Sequence, residues 1–253
     1  MNLNNLDMSM TAAKHQAIKV ITFDLDDTLW EVTPVLIEAE RIVFDWLVTN
    51  AGKIGDQFSA QSLRDWKWKL YQQQSELSNK ISEMRIYSVE QALLYVGYNA
   101  AESAKISQEA FDIFLDARHN VTLFDDVIPM LEVLGRQYSL GVLTNGNADI
   151  SRLEIGALFD FSFSAEQLNA SKPAPEHFQA AQQFSGASAH EIIHVGDHID
   201  HDIAGARLAG CHAIWFNPDK KPRPTIEQTF MEVHSLAELP ATIERFEQQL
   251  ITK

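Results

Sequence analysis

The sequence predicts an α/β protein, with a Rossmann-like parallel sheet core flanked by helices and an inserted all-helical cap domain. Short apolar runs rich in β-branched residues recur along the chain, and each ends at a polar or glycine-rich cluster. Such runs are typical of buried parallel strands. Helical patterns separate them, which indicates a sheet covered on both faces. A long stretch without strand patterns follows the first run and predicts the cap.

Four apolar runs carry the strand prediction, at residues 18–23, 139–143, 192–195 and 213–216. Helical spacing between and after them predicts core helices at 127–136, 176–184 and 202–209. In open parallel sheets, ligands bind beyond the carboxyl ends of the strands. The polar clusters that follow the runs should therefore share one edge of the sheet.

The stretch after the first run has apolar residues at helical spacing, most clearly in 34–48, where Pro34 suits a first helical turn. Further helices are expected around 62–71, 89–96 and 111–115, with glycines between some of them. We therefore predict a discontinuous core at 1–31 and 121–253, with a helical cap at 32–120.

Composition limits the function classes. The 253 residues are 45% hydrophobic and 22% charged, which is typical of a globular chain, and they carry a formal net charge of −15. That charge repels nucleic acid and anionic lipid, so neither is expected as a partner. No apolar run reaches membrane-spanning length, and the first residues do not resemble a signal peptide. A cytoplasmic monomer or homodimer is the expectation, and the single cysteine excludes an intrachain disulfide.

Asp24 and Asp26 follow the first predicted strand directly. Two carboxylates at one site do not ionise equally easily, so they can divide the work. One stays ionised as nucleophile and metal ligand, and the other, with a raised pKa, acts as acid and then base. Taken alone, the pair fits an ordinary solvated acidic turn better than a site.

Three more carboxylates, those of Asp197, Asp200 and Asp202, follow the strand predicted at 192–195. With the first pair they place a formal charge of −5 at two strand ends, which requires a compensating cation. Hard oxygen ligands favour Mg²⁺.

Two other segments offer groups for an anion. Lys172 lies in a proline-stiffened loop before a predicted helix, and its ammonium can pair with phosphate and with a nucleophile. Thr144 and Asn145 end a predicted strand, where a hydroxyl and backbone N–H groups can bind phosphoryl oxygens. A solvated lysine and an Asn-Gly turn remain the alternatives.

Taken in order, these segments resemble the haloacid dehalogenase superfamily of aspartate-nucleophile hydrolases. The resemblance covers the core, and the helical insertion resembles the helical cap of that family. The matching motifs are Asp24-Leu25-Asp26-Asp27-Thr28, Thr144-Asn145, Lys172-Pro173, and Gly196-Asp197 with Asp202 five residues later.

The resemblance implies a role for each matching residue. Asp24 would attack phosphorus and form an aspartyl-phosphate, and Asp26 would protonate the leaving oxygen and then activate water. Thr144 and the backbone of Asn145 would bind the phosphoryl group, and Lys172 would balance its charge.

For the metal, the resemblance implies that Asp197 holds Mg²⁺ together with the carboxylate of Asp24 and the carbonyl of Asp26. Asp202 would hold the lysine or a water on the metal, and Asp200 would stand near it with a less defined role.

The resemblance also indicates the substrate. Family members with an aspartate at the position of Asp26 are phosphatases, because an alkoxide leaving group needs a proton, whereas halide leaves without one. The segment 23–30 is similar to bacterial phosphatases of FMN and of the phosphorylated ribitylamino-uracil of riboflavin synthesis. The expected substrate is a small phosphate monoester: FMN, a nucleotide, a sugar phosphate or a riboflavin-pathway intermediate. Trp30 is expected to line the cleft between cap and core.

Three alternatives remain open. The fold can serve as a non-catalytic module that binds a phosphorylated ligand or a protein, or the chain can be a haloacid dehalogenase. Four histidines near the later carboxylates also allow a zinc or iron site: His194, His198, His201 and His212.

Overall fold

The computed structural model describes residues 17–74, 77, 79–223 and 229–252. The part of the core prediction that covers residues 1–16 lies outside these ranges.

A six-stranded parallel sheet forms the core, which confirms the predicted fold class. Its strand order is β3-β2-β1-β4-β5-β6. The strands are β1 (Val20–Phe23), β2 (Ser139–Thr144), β3 (Phe161–Ser164), β4 (Ile192–Gly196), β5 (His212–Phe216) and β6 (Met231–Val233).

Helices fill the chain between β1 and β2 and cover the sheet elsewhere. The insertion contains α1 (Val32–Asn50), α2 (Lys53–Gln57), α3 (Ala60–Gln73), α4 (Ile81–Tyr95) and α5 (Ala100–Arg118). The core contains α6 (Val127–Leu134), α7 (Ala165–Leu168), α8 (Glu176–Ser185), α9 (Gly205–Leu208) and α10 (Leu239–Ile251). Short 3₁₀ turns lie at Ile150–Arg152, Gly156–Leu158, Ala189–Glu191 and Leu236–Glu238, and a π-helical turn at Ile199–Ala204 leads into α9.

Strand β1 lies inside the sheet and is buried on both faces. Ile21 and Phe23 pack into one hydrophobic cluster and Val20 into another, as expected for side chains that alternate across a strand. The parallel register sets Phe23 opposite Val142 of β2 and Val195 of β4. The residues that follow these three strands therefore meet at one edge of the sheet.

The inserted helices have a hydrophobic cluster of their own, which includes Ala39, Leu47, Leu93 and Phe114. The predicted division into core and cap stays a prediction, although α1 and α5 begin and end near its boundaries. Within the described residues, no helix combines the length and the apolar character needed to cross a membrane.

The two chain crossings between core and insertion lie side by side. Trp30 and Leu123 form an isolated antiparallel bridge, and the Phe124 amide donates to the Leu29 carbonyl at 3.0 Å. The insertion thus leaves and re-enters the core at neighbouring points.

Candidate active site

A cavity of about 190 Å³ lies at the edge of the sheet where β1, β2 and β4 end. Most of the predicted site residues line it. The lining comprises Asp24, Asp26, Asp27, Thr144, Asn145, Gly146, Lys172, Asp197, His198, His201 and Asp202.

Lys172 links two of these carboxylates below the cavity. Its ammonium donates to Oδ1 of Asp24 at 2.7 Å, to Oδ1 of Asp202 at 2.6 Å and to the carbonyl of Leu143 at 2.5 Å. All three ammonium protons therefore have acceptors. Because Lys172 is 2% exposed, its charge is balanced by these carboxylates rather than by water.

Burial and neighbouring charges shape the electrostatics of this pair. Burial raises the pKa of Asp24; Lys172 opposes the rise, while Asp202 and Asp26 add to it. Burial alone would lower the pKa of Lys172, but the charges of Asp202 and Asp24 hold it above its usual value. The lysine thus stays protonated, and the surroundings of Asp24 are short of positive charge.

Asp202 is fixed on both carboxylate oxygens. Besides the lysine, Oδ1 accepts from Nε2 of His194 at 3.1 Å, and Oδ2 accepts from the backbone amide of His198 at 3.0 Å. Although burial acts in the opposite direction, Lys172 and His194 hold the pKa of Asp202 well below its usual range. Nδ1 of His194 lies 2.9 Å from Oγ1 of Thr22, so this histidine supports Asp202 from inside the sheet.

The carboxylate of Asp26 is held from the cap side. Nη2 of Arg118, the last residue of α5, lies 2.6 Å from both carboxylate oxygens, and Nε1 of Trp30 donates to Oδ1 at 3.0 Å. Arg118 is 1% exposed, and its Nη1 has no hydrogen-bond partner among the described residues. The sequence analysis missed Arg118, because one arginine at the end of an amphipathic helix carries no distinguishing pattern.

Trp30 does not lie where the sequence analysis expected it. Its side chain is fully buried in the main hydrophobic cluster and does not line the catalytic cavity. Its indole N–H contacts Asp26 instead. The apolar ring fills the core while its one polar atom finds a carboxylate, so a cleft-lining role is replaced by one that orients Asp26.

The phosphate-binding and lysine segments are fixed to each other. Oδ1 of Asn145 accepts from the backbone amide of Lys172 at 2.7 Å, and Nδ2 donates to its carbonyl at 3.0 Å. Oγ1 of Thr144 accepts from the amide of Gly146 at 3.0 Å. The side chain of Asn145 therefore orders the loop that presents Lys172.

The donor set fits a hard divalent cation. Asp24, Asp197 and Asp202 each offer a carboxylate oxygen within 4.8 Å of the others. Burial, together with Asp202 and Asp27, raises the pKa of Asp197 to about 6, although His198 acts in the opposite direction. Because Asp202 is already bound on both oxygens, Asp24 and Asp197 are the freer ligands.

The remaining candidates do not form one cluster. Asp200 is exposed and outside the cavity. His198 and His201 stack at 3.9 Å between ring centroids at the cavity wall, whereas His212 packs against Phe246. Within the part of the chain that the structure describes, the candidate metal ligands that cluster are carboxylates and not histidines.

Comparisons with known proteins agree with this geometry. The family model for haloacid dehalogenase-like hydrolases matches residues 18–210. The chain is 29% identical over 202 residues to the 5-amino-6-(5-phospho-D-ribitylamino)uracil phosphatase YigB of Escherichia coli, covering 80% of this chain and 84% of that protein. It is 27% identical to the pyrimidine 5'-nucleotidase PynA of Streptococcus pneumoniae, covering 87% and 93%. A crystal structure described as 2-haloacid dehalogenase from Pseudomonas syringae superposes with a TM-score of 0.85 at 39% identity, covering 90% and 99%.

Proposed function

The chain belongs to the haloacid dehalogenase-like hydrolase family and to its phosphatase branch, and on that premise we propose a magnesium-dependent enzyme with Asp24 as nucleophile. Its substrate is a small phosphate monoester. The observation that carries the proposal is the meeting of Asp24, Asp26, Lys172 and Asp197 in one cavity.

Asp24 is suited to attack phosphorus. Lys172 binds its Oδ1, and no hydrogen bond from a described residue engages Oδ2. The buried ammonium fixes the carboxylate and offsets the negative charge of an arriving phosphoryl group. In the first step an oxygen of Asp24 bonds to phosphorus, and the bond from phosphorus to the ester oxygen breaks.

Asp26 serves the leaving group. Its proton passes to the departing ester oxygen, which leaves as an alcohol. Asp26 then takes a proton from water as that water attacks the aspartyl-phosphate, which releases inorganic phosphate and restores Asp24. Since Arg118 contacts both oxygens of Asp26 in this structure, one of them must leave Arg118 to reach the ester oxygen while the other can stay bound.

Asp24, Asp197 and the carbonyl of Asp26 would hold Mg²⁺, and the raised pKa of Asp197 supports this assignment. When bound, Mg²⁺ supplies positive charge that stabilises the transferring phosphoryl group. Thr144 and the Asn145 amide would bind phosphoryl oxygens, and Asp202 would keep Lys172 in place.

The names of two relatives suggest the substrate range. The Escherichia coli relative acts on a phosphorylated ribitylamino-uracil and the Streptococcus pneumoniae relative on pyrimidine 5'-nucleotides. FMN, nucleotides and sugar phosphates are therefore the first compounds to assay. The cytoplasmic location and the choice between monomer and homodimer stay predictions.

The direct test is Asp24→Asn, with Asp200→Asn as the matched control because Asp200 is exposed and outside the cavity. Asp24→Asn should lower p-nitrophenyl phosphate hydrolysis by roughly 10⁴-fold or more, whereas the control should keep the wild-type rate. Wild-type turnover by Asp24→Asn would refute the nucleophile assignment. Absence of phosphatase turnover in the wild type itself would instead favour the non-catalytic binding module.

The dehalogenase alternative has one observation in its favour, the 39% identity to a structure described as 2-haloacid dehalogenase. A departing halide needs no proton, so a dehalogenase reaction would not use Asp26 as an acid. Incubation of the enzyme with 2-chloropropionate separates the two reactions. Halide release without added magnesium, in the absence of phosphatase activity, would favour the dehalogenase.

A further inference from the structure

We propose that the cap contains a carboxylate-binding subsite built from three cationic side chains around Glu40. This subsite would receive the carboxylate of a substrate that also carries the phosphate monoester. The inference rests on the proposed function and narrows its substrate class. The three cations are Arg64, Lys67 and Arg85.

The cluster has more positive than negative charge. Nε of Arg64 lies 2.5 Å from one oxygen of Glu40, Nη1 of Arg85 lies 3.1 Å from the other, and Lys67 contacts that second oxygen too. No other carboxylate among the described residues forms an ion pair with these three. Three positive charges therefore face one negative charge, in a chain whose net charge is −15.

The partial burial of the cluster makes this excess costly. Although burial raises the pKa of Glu40, Lys67 and Arg85 lower it to about 2. Burial and the charge of Arg85 lower the pKa of Lys67, although Glu40 acts against them. A second anion would relieve the repulsion among the cations, as burial weakens screening by water.

Arg85 offers an unused donor. Its side chain is 11% exposed, its guanidinium lies 3.6 Å from the centroid of the Phe114 ring, and its Nε has no hydrogen-bond partner among the residues that the structure describes. A buried guanidinium donor without a partner is rare, because leaving it unpaired costs free energy. The planar donor set of arginine matches a carboxylate.

A cavity adjoins these groups. It has a volume of about 40 Å³, and Glu40, Arg64, Lys67, Arg85 and Ser88 line it together with mainly apolar side chains such as Phe114. A space of about 10–15 Å³ by this measure already holds one water. The cavity therefore has room for a small group such as a carboxylate.

The cavity lies close to the catalytic site along two helices. In α4, Ser82 accepts from the Asn147 amide at 3.2 Å, and Arg85 follows three residues later. In α5, Arg118 contacts Asp26, and Phe114 precedes it by four residues. Three or four helical residues span about 5–6 Å. Both walls of the cavity thus stand about one helical turn from groups at the cap–core contact.

This spacing defines the substrate class. The phosphate would bind beside Asp24 in the core, and the carboxylate would reach the cap cluster through a short carbon chain. We therefore expect a phosphorylated short-chain carboxylic acid to be preferred over a phosphate ester of the same length without the acid.

The test compares 3-phosphoglycerate with glycerol 3-phosphate, which differ mainly in the carboxylate. In the wild type, kcat/KM for 3-phosphoglycerate should be higher by about tenfold or more, which is the typical effect of one charge-assisted pair. Lys67→Gln and Arg64→Gln should bring this ratio towards one, mainly through KM for 3-phosphoglycerate. Arg41→Gln is the matched control, because Arg41 is exposed and pairs with Glu38 and Asp45 on the outside of α1.

A wild-type ratio near one would overturn the inference. Equal losses of kcat/KM on both substrates in the variants would also overturn it, because they indicate a salt-bridge network that only stabilises the cap. Failure of the proposed function would look different, as neither ester would release phosphate. Calorimetric Kd values for the two esters would then give the ratio without turnover, and equal affinities would count against the subsite.

Discussion

Nη2 of Arg118 lies 2.6 Å from each carboxylate oxygen of Asp26, which joins the last residue of the cap helices to the proposed acid. Asp26 precedes the insertion and lines the cavity, whereas Arg118 ends the last helix of the insertion. The orientation of the Asp26 carboxylate therefore depends on the position of α5.

Arg118→Gln should disturb Asp26 more than the rest of the site. We expect turnover of an alkyl phosphate to fall by about 10- to 100-fold, because its leaving oxygen needs a well-placed acid. Turnover of p-nitrophenyl phosphate should fall less, because p-nitrophenolate can leave without being protonated. Steady-state kinetics on both esters measures the difference, and Arg118→Lys should restore part of it. Equal losses on the two esters would argue against this role.

Gly146→Ala should damage catalysis while sparing the fold. A Cβ at this position would lie 2.7 Å from Oδ2 of Asp26, closer than real contacts allow. We expect Asp26 to be displaced and kcat to fall by about tenfold or more. Stability should change by less than about 1 kcal/mol. Gly52→Ala serves as the control, because its Cβ would meet only the Val48 carbonyl at 3.7 Å.

Lys172→Met should destabilise the core. It would leave Asp24 and Asp202 without their shared cation, and both carboxylates are largely buried. Breaking one partner of a buried ion pair typically costs about 3–5 kcal/mol, and urea unfolding at neutral pH measures it. Adding Asp202→Asn should recover part of the loss. A single variant as stable as the wild type would contradict the buried ion-pair geometry.

The buried side chain of His177 should make the folded protein less stable in mild acid. It is fully buried and contacts the Thr144 carbonyl, and burial with the nearby Lys172 lowers its pKa to about 4 from 6.5. The unfolded state therefore binds more protons between these values, so stability falls as pH drops from 6.5 to 4. The full effect is about 3 kcal/mol.

Urea midpoints at pH values across this window test that expectation. His177→Gln keeps an N–H for the Thr144 carbonyl but does not titrate, so its stability should depend less on pH. His190→Gln removes an exposed histidine and should follow the wild-type curve. Parallel curves for His177→Gln and wild type would rule out the buried histidine as the source.

Magnesium should stabilise the folded protein as well as activate it. A cation that binds only the folded state raises Tm, by an amount that grows with its concentration. Asp197→Asn should reduce that rise, because it removes the carboxylate that lacks a cationic partner. Thermal unfolding with magnesium and with a chelator measures both effects. An equal Tm rise in the variant would place the ion elsewhere.

Residues with local signals could be placed from the sequence. β1, β2, β4 and β5 are buried apolar runs that end in polar clusters, so both their positions and the shared edge were predictable. β3 and β6 were missed because they are partly exposed and polar residues interrupt their apolar residues. α3, α4 and α5 extend beyond the predicted segments, because their outer faces are polar and only their inner apolar residues gave a signal.

Residues that act through distant contacts could not be placed in the same way. Asp26 and Arg118 are 92 positions apart, and no spacing rule connects them. Trp30 was assigned to the cleft because of its position in the chain, but its burial depends on how the two crossings pair. The Asn145 side chain fixes the loop of Lys172, a contact between positions 27 apart that the sequence analysis did not predict.

The bridge between Trp30 and Leu123 brings the two boundaries of the insertion together. A segment whose ends already touch can be replaced by another of different length without pulling the sheet apart. Evolution can therefore exchange the insertion as a unit while the carboxylates at the edge of the sheet stay in place. Such an exchange would remove Arg118 together with the insertion, so each new insertion has to supply its own partner for Asp26.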